Sequence, residues 1–159
     1  MMMIKRFANG RGRAVAVVAA MAFAAVTGSA PAAYAGASCG TLGCSSSVND
    51  SALGATAYKN WCLSGSSTGD WTTSQPTCSS DGVAQKTYYL SAYGGHTPYS
   101  EDWDTLRVDA GYCYKVKFVI DWEPDFTKIY DRRGNSAAWV KAADNADAHV
   151  VDQGYSSCP

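Results

Sequence analysis

The sequence lacks the residue patterns that mark zinc sites and thiol redox sites. Its 159 residues include only two histidines, His96 and His149, and no two cysteines stand in C-x-x-C spacing. Structural zinc sites and thiol redox sites commonly use such cysteine pairs, the former often together with histidines. Neither kind of site is therefore expected, and no metal or cofactor is predicted.

The chain also lacks a hydrophobic run long enough to cross a membrane. The run at 14–26 has thirteen apolar residues, whereas a spanning helix needs about 20. Four basic residues precede it, and the small-residue site AYA follows at 33–35. These three parts are typical of a secretory signal peptide, and the alanine-rich leader resembles those of Gram-positive bacteria. We expect cleavage of residues 1–35 and secretion of residues 36–159 as one domain, without membrane contact afterwards.

Basic residues are scarce in the part that we expect to be exported. Residues 36–159 contain nine basic and fourteen acidic residues, so their net charge is −5, compared with −1 for the whole chain. Proteins that bind nucleic acid usually carry a basic patch that contacts the phosphates. The exported domain is therefore not expected to bind nucleic acid.

All six cysteines lie in the exported part. An even number of cysteines in an exported chain is typical of a disulfide framework. Sequential pairing is favoured, because the first two bridges then close short turn-rich loops and the third ties the chain end to its most strand-like segment. The predicted disulfides are Cys39–Cys44, Cys62–Cys78 and Cys113–Cys158.

The chain shows no convincing helical stripe, whereas alternation with a period of two is common. It is clearest at 112–122, YCYKVKFVIDW, where every second residue is apolar or aromatic. This face is expected to lie in the core and consists of Tyr112, Tyr114, Val116, Phe118, Ile120 and Trp122. Weaker strand patterns occur at 56–63, 84–92, 103–108, 127–131, 136–141 and 146–152.

These segments predict an all-β fold, specifically a small disulfide-stabilised antiparallel β-sandwich or barrel of about six or seven strands. The turn at 109–111 is expected to join its two flanking strands as antiparallel neighbours, and the glycine and asparagine at 132–135 suit another tight turn. Residues 36–49 and 64–81 are expected to be surface loops.

Two patterns could support hydrolysis. Residues 65–69 match G-x-S-x-G, but the strand-to-helix turn that exposes the serine is not predicted there, so the segment is interpreted as a loop. His96 and His149 could act as an acid–base pair, although nothing in their spacing requires it. No catalytic residue is therefore assigned.

Acidic residues cluster around two tryptophans. Glu101, Asp102 and Asp104 flank one, and the acidic residues of 121–125 flank the other. Such clusters can supply the carboxylate pair of a glycoside hydrolase or the oxygen ligands of Ca²⁺, and the segment 144–147 is a second calcium candidate. Acidic side chains also occur at turns, where they accept backbone hydrogen bonds. The sequence leaves these alternatives open.

The exported part is rich in aromatic residues with a polar group. It has nine tyrosines and five tryptophans but two phenylalanines. Tyrosine and tryptophan suit surfaces that are partly buried and partly wet. Tyr114, Trp122 and Trp139 are expected in the core, whereas the predicted binding residues lie in loops or at outward strand positions: Trp71, Tyr89, Tyr93 and Tyr99.

These observations predict a secreted, non-enzymatic binding protein whose partner is an extracellular protein or a polysaccharide. An inhibitor of a secreted hydrolase is one version, in which the Cys62–Cys78 loop presents Trp71 in a preordered conformation. Two alternatives remain: a small extracellular hydrolase that uses a carboxylate pair or the histidines, and a carbohydrate- or cell-envelope-binding module.

Overall fold

The structure is a computed structural model that describes residue 39, residues 43–80 and residues 82–159. The predicted signal peptide, residues 1–35, lies outside the described residues. The described part is all β, as predicted, and contains no helix, hence none that could cross a membrane. Its ten strands are β1 (Ser46–Asn49), β2 (Ala55–Tyr58), β3 (Trp71–Thr72), β4 (Thr87–Leu90), β5 (Gly95–His96), β6 (Thr105–Val108), β7 (Cys113–Ile120), β8 (Phe126–Asp131), β9 (Ala138–Lys141) and β10 (Ala146–Gly154).

The strands form two five-stranded sheets that share one hydrophobic core. The first sheet has the order β5-β1-β10-β7-β8, and the second has the order β3-β9-β6-β2-β4. The core cluster includes Val116 and Val150 from the first sheet and Leu106 and Val140 from the second, all fully buried. One edge of each sheet, β8 and β3, lies on one side of the molecule, where the loop before β3 contacts β8.

The number and pairing of the strands differ from the prediction. Each of the seven predicted segments contains a strand, but β1, β3 and β5 are additional, and two of them lie in predicted loops. These strands have four residues or fewer, so they are too short to show a periodic pattern. The barrel prediction is wrong because the strands belong to two separate sheets. A purely antiparallel fold is also wrong, because β1 pairs with β10 in parallel.

Two predicted turns form, but they do not join neighbouring strands. β6 and β7 belong to different sheets, and so do β8 and β9. Each connection carries the chain from one sheet to the other, which lets the apolar face of each strand pack against the opposite sheet. The turn between β7 and β8, by contrast, joins adjacent antiparallel strands.

β7 has the predicted core face, except at its end. Tyr114, Val116 and Phe118 are buried, whereas Trp122 is 82% exposed. The expectation that Trp122 is a core residue is wrong because the strand ends at Ile120 and the chain turns. Trp122 has a φ of 64° in this turn, and its side chain therefore leaves the alternation. Trp139 is buried, as expected, in a smaller cluster beside the main core.

All three predicted disulfides are present, namely Cys39–Cys44, Cys62–Cys78 and Cys113–Cys158. The third joins the first residue of β7 to the segment that follows β10. The second closes the loop that contains β3, and this loop leads to the candidate site.

Candidate functional site

The loop between Cys62 and Cys78 is fixed at its base and at its middle. At the base, the Cys78 N–H donates a hydrogen bond of 3.1 Å to Cys62 Sγ, next to the disulfide itself. At the middle, the Gly69 N–H donates to the Lys141 carbonyl oxygen, and the Lys141 N–H donates to the Asp70 carbonyl oxygen, each at 2.8 Å. These two bonds extend the pairing of β3 with β9, so the loop is held against the second sheet.

A groove of about 750 Å³, here called the Trp71 groove, lies between this loop and β8. Its volume falls within the range of roughly 300–1,000 Å³ that is common for ligand pockets. One wall comes from the loop and the other from the edge strand of the opposite sheet. Its lining residues are Trp61, Leu63, Ser66, Gly69, Asp70, Trp71, Thr127, Lys128, Ile129 and Tyr130.

The two walls are joined at the carbonyl oxygen of Gly69. This oxygen accepts a hydrogen bond of 2.8 Å from the Tyr130 hydroxyl and one of 3.1 Å from Lys128 Nζ. Burial, with a smaller effect of the Asp70 charge, raises the pKa of Tyr130. The phenol therefore remains protonated and can act as a donor. Gly69 has a φ of 80°, which favours glycine at this position.

Apolar side chains border the mouth of the groove. Trp71 is 51% exposed, and Leu63 and Ile129 are each 48% exposed. The guanidinium carbon of Arg132 lies 5.0 Å from the centroid of the Trp71 ring, which is within the range of a cation–π contact. Trp71 is thus oriented by a neighbour while much of its surface stays accessible, as a contact residue requires.

The three predicted binding tyrosines lie on the opposite side of the molecule. Tyr89 is on β4 and Tyr93 is in the turn between β4 and β5, at edges of the sheets remote from β3 and β8. Tyr99 stacks on the ring of His96 with 4.3 Å between ring centroids. All three are more than 60% exposed. They belong to a surface separate from the Trp71 groove, so the four predicted residues do not form one site.

The two histidines project from the same face of the first sheet. His96 pairs with Val48, and Val48 pairs with His149, so the histidines lie two strands apart on one row. His96 Nδ1 lies 2.9 Å from the Thr97 carbonyl oxygen, and His149 Nδ1 lies 2.9 Å from Asp50 Oδ2. Both partners are acceptors, so each Nδ1 carries a hydrogen and Nε2 of the neutral ring has the free lone pair.

Three aspartates from two distant parts of the chain meet near the start of β1. One carboxylate oxygen from each of Asp102, Asp104 and Asp144 lies within 4.8 Å of the others. Ser45 donates from its N–H and its hydroxyl to Asp102 Oδ1, at 2.8 and 2.7 Å. Burial, followed by the charge of Asp102, raises the pKa of Asp104 to about 8. Carboxylates are the ligands that Ca²⁺ prefers, so these residues could hold such an ion.

The acidic clusters seen in the sequence are divided in the structure. Glu101 does not join Asp102 and Asp104 but forms an ion pair of 3.0 Å with Lys59, which lowers the pKa of Glu101. In the other cluster, Asp125 pairs with Lys117 at 2.8 Å. The addition of Asp144 to the buried group could not be found from spacing, because about 40 residues separate it from Asp104.

The serines of the G-x-S-x-G segment lie in the loop, as interpreted from the sequence, and no helix follows them. Sequence reasoning missed Leu63 and Ile129 at the groove, and it missed the exposure of Trp122. The exposure of Ile129 could have been predicted because it alternates with the inward-facing Tyr130, but its place beside Trp71 follows only from the packing of the two sheet edges. No known protein family, curated protein or solved structure matches this chain.

Proposed function

We propose that the protein is a secreted binding protein and that the Trp71 groove is its contact surface for an extracellular macromolecule. The observation that carries this proposal is the half-exposed Trp71 on a loop held by a disulfide, by β9 and by the Gly69 carbonyl. A preordered aromatic residue loses little conformational freedom when a partner binds. Tryptophan is also among the residues that contribute most to protein–protein affinity.

The groove contains groups for binding rather than an arrangement for acid–base chemistry. Its ionisable side chains are Asp70, Lys128 and Tyr130. The last two donate hydrogen bonds to Gly69, and the Asp70 carboxylate accepts a hydrogen bond of 2.7 Å from the Ser67 N–H. These engaged groups would supply polar contacts around an apolar centre, which resembles the usual composition of a protein interface.

The finer parts of the proposal concern location and partner. Removal of residues 1–35 would deliver a β-sandwich with three disulfides into an oxidising environment, where such bridges persist. We favour a protein partner, such as a secreted hydrolase that this chain inhibits. A rigid loop with a central tryptophan suits a cleft of such an enzyme.

Binding assays on the oxidised chain test the proposal. The probes are a panel of purified secreted proteases and glycosidases, together with cellulose, chitin and peptidoglycan as insoluble glycans. We expect one hydrolase to bind and Trp71→Ala to weaken the affinity at least about fivefold, or about 1 kcal/mol. Trp122→Ala is the matched control because it removes another exposed tryptophan outside the groove. Equal affinities of wild type and Trp71→Ala would reject the groove as the contact surface.

A second candidate function is a small hydrolase with His149 as general base. The 2.9 Å contact between His149 Nδ1 and Asp50 Oδ2 favours it, because a carboxylate that orients the ring leaves Nε2 available for proton transfer. This function predicts turnover of an ester, glycoside or phosphodiester substrate that falls about a hundredfold or more in His149→Ala. Full activity of His149→Ala would exclude the histidine mechanism. If His149→Ala still released product from glycans, the carboxylates would be the catalytic groups instead.

A further inference from the structure

The outer edge of β8 is a row of backbone groups without partners in the described part of the chain. β8 pairs with β7 on one side only. The Arg132 N–H donates to the Tyr112 carbonyl oxygen, and the Arg132 carbonyl oxygen accepts from the Gly111 N–H, so both backbone groups of Arg132 point towards the segment that leads into β7. Because hydrogen-bonded and non-bonded pairs alternate in an antiparallel ladder, the N–H and C=O groups of Thr127, Ile129 and Asp131 point away from β7.

Among the described residues, no backbone group outside β7 forms a hydrogen bond with this edge, and the loop at 62–78 faces β8 only across the Trp71 groove. Thr127, Ile129 and Asp131 are exposed, and the strand contains no proline. Lysine often protects sheet edges, but Lys128 points towards the core side and its ammonium is held by the Gly69 carbonyl oxygen. An edge of six residues in this state is a template for another extended segment.

The two ends of β8 carry opposite charges. Asp121, Glu123 and Asp125 precede the strand. Arg132 and Arg133 follow it and outnumber the one acidic residue at that end, Asp131, which pairs with Arg133. If a second copy of the same strand pairs with it antiparallel, the acidic end of each copy lies beside the basic end of the other. We therefore propose that the chain forms a two-fold symmetric dimer through antiparallel pairing of β8 with β8 of a second copy.

The charges also select the register of this pairing. To form hydrogen bonds, residues whose N–H and C=O groups point away from β7 must lie opposite such residues of the second copy. The two-fold axis therefore passes through a residue of β8 and not between two residues, so each possible register is centred on one residue. A register centred on Lys128 places the two Lys128 side chains opposite each other. One centred on Tyr130 places Lys128 opposite the second copy's Arg132. Like charges directly opposite each other are destabilising, so both registers are disfavoured.

The register centred on Ile129 avoids these repulsions. It places the two exposed Ile129 side chains in contact and sets Thr127 opposite the second copy's Asp131. It also sets Asp125 opposite the second copy's Arg133, and symmetry provides this contact twice. Within one chain Asp125 pairs with Lys117 and Arg133 pairs with Asp131, so the contact between copies would join these two exposed pairs into one network. The two first sheets would then join into one continuous ten-stranded sheet, which removes both exposed edges.

The first experiment measures the mass of the full chain, expressed in a secreting host and purified with its disulfides formed. Sedimentation and light scattering from about 1 to about 500 μM should show a monomer–dimer equilibrium. Ile129→Pro removes one outward N–H, and proline is tolerated where an edge N–H faces solvent. This variant should stay monomeric with an unchanged circular dichroism spectrum. Lys86→Glu, an exposed change just before β4 of the second sheet, should dimerise like the wild type.

The second experiment tests the register by exchanging charges. Arg133→Glu places two acidic groups opposite each other twice in the dimer, and Asp125→Lys does the same with two basic groups. Each variant alone should dimerise at least about tenfold more weakly. An equimolar mixture should form a heterodimer, because each acidic residue then meets a basic one. Changes that only damage folding within one chain could not be corrected by mixing.

β8 also lines the Trp71 groove, but neither experiment uses a macromolecular ligand, so the dimer and the proposed binding function can fail independently. A wild-type chain that remains monomeric throughout the concentration range overturns the dimer proposal. So does a dimer that persists in Ile129→Pro, since its interface must then lie elsewhere. A dimer that is lost in Ile129→Pro but insensitive to both charge variants rejects the register centred on Ile129.

Discussion

Tyr130, on the edge strand of the first sheet, donates a hydrogen bond of 2.8 Å to the carbonyl oxygen of Gly69, in the loop that enters the edge strand of the second sheet. The tyrosine ring is 5% exposed and belongs to the main core. The geometry of the Trp71 groove is therefore coupled to the packing of the core and does not depend on the loop alone.

Tyr130→Phe removes this hydroxyl while keeping the ring in the core. The buried Gly69 carbonyl then retains only the bond from Lys128, and we expect a loss of about 1 kcal/mol in the free energy of unfolding. Urea denaturation measures this change. Tyr155→Phe, at a tyrosine that is 71% exposed, should leave the stability unchanged. Equal midpoints for the two variants would show that the Tyr130 bond does not stabilise the fold.

The three disulfides should contribute to stability in the order of the chain length that each one closes. Their sequence separations are 45 for Cys113–Cys158, 16 for Cys62–Cys78 and 5 for Cys39–Cys44. Restriction of the unfolded chain predicts losses of about 4, 3 and 2 kcal/mol when both cysteines of a pair are replaced by serine. Urea denaturation of the three double variants checks the order, and a larger loss for Cys39–Cys44 than for Cys113–Cys158 would contradict it.

The strands that could be predicted from the sequence are those with one buried face, because such a face requires an apolar residue at every second position. Tyr114, Val116 and Phe118 face the core from β7, so the pattern is visible in the sequence. β3 and β5 have two residues each, and such strands form because a neighbouring strand offers hydrogen bonds rather than because their own residues require it. The crossing of β6 and β7 to different sheets is likewise decided by packing of the whole domain, and a turn sequence carries no information on it.

Only the part of the candidate site that lies within one segment of the chain, the loop that carries Trp71, could be predicted. Trp71 could be found because it lies near the middle of a loop bounded by two cysteines. Its opposite wall could not, because Ile129 and Tyr130 are almost 60 residues further along the chain and reach the loop only through the packing of two sheet edges. The proximity of Asp144 and Asp102 could not be predicted for the same reason, since it depends on the position of the connection between β9 and β10.

Asp104 should make the stability of the protein fall as the pH rises. The pKa of this carboxyl is raised from its ordinary 3.8 to about 8, chiefly by burial and then by the charge of Asp102. Between these two values the folded state holds a proton that the unfolded state has released. The free energy of unfolding must therefore decrease with rising pH in this window, by up to about 1.4 kcal/mol for each pH unit.

Asp104→Asn keeps the shape of the side chain and removes its titration. As the pH increases from 5 to 8, we expect the free energy of unfolding of the variant to rise relative to that of the wild type, by an amount on the order of a few kcal/mol. Urea denaturation at several pH values, in buffer with a chelator so that no cation neutralises the aspartates, measures this difference. Asp152→Asn, at an exposed carboxylate, controls for the general loss of a negative charge. A difference between Asp104→Asn and wild type that stays constant across this range would mean that Asp104 is already ionised in the folded protein, and that its neighbours stabilise the charge more strongly than burial opposes it.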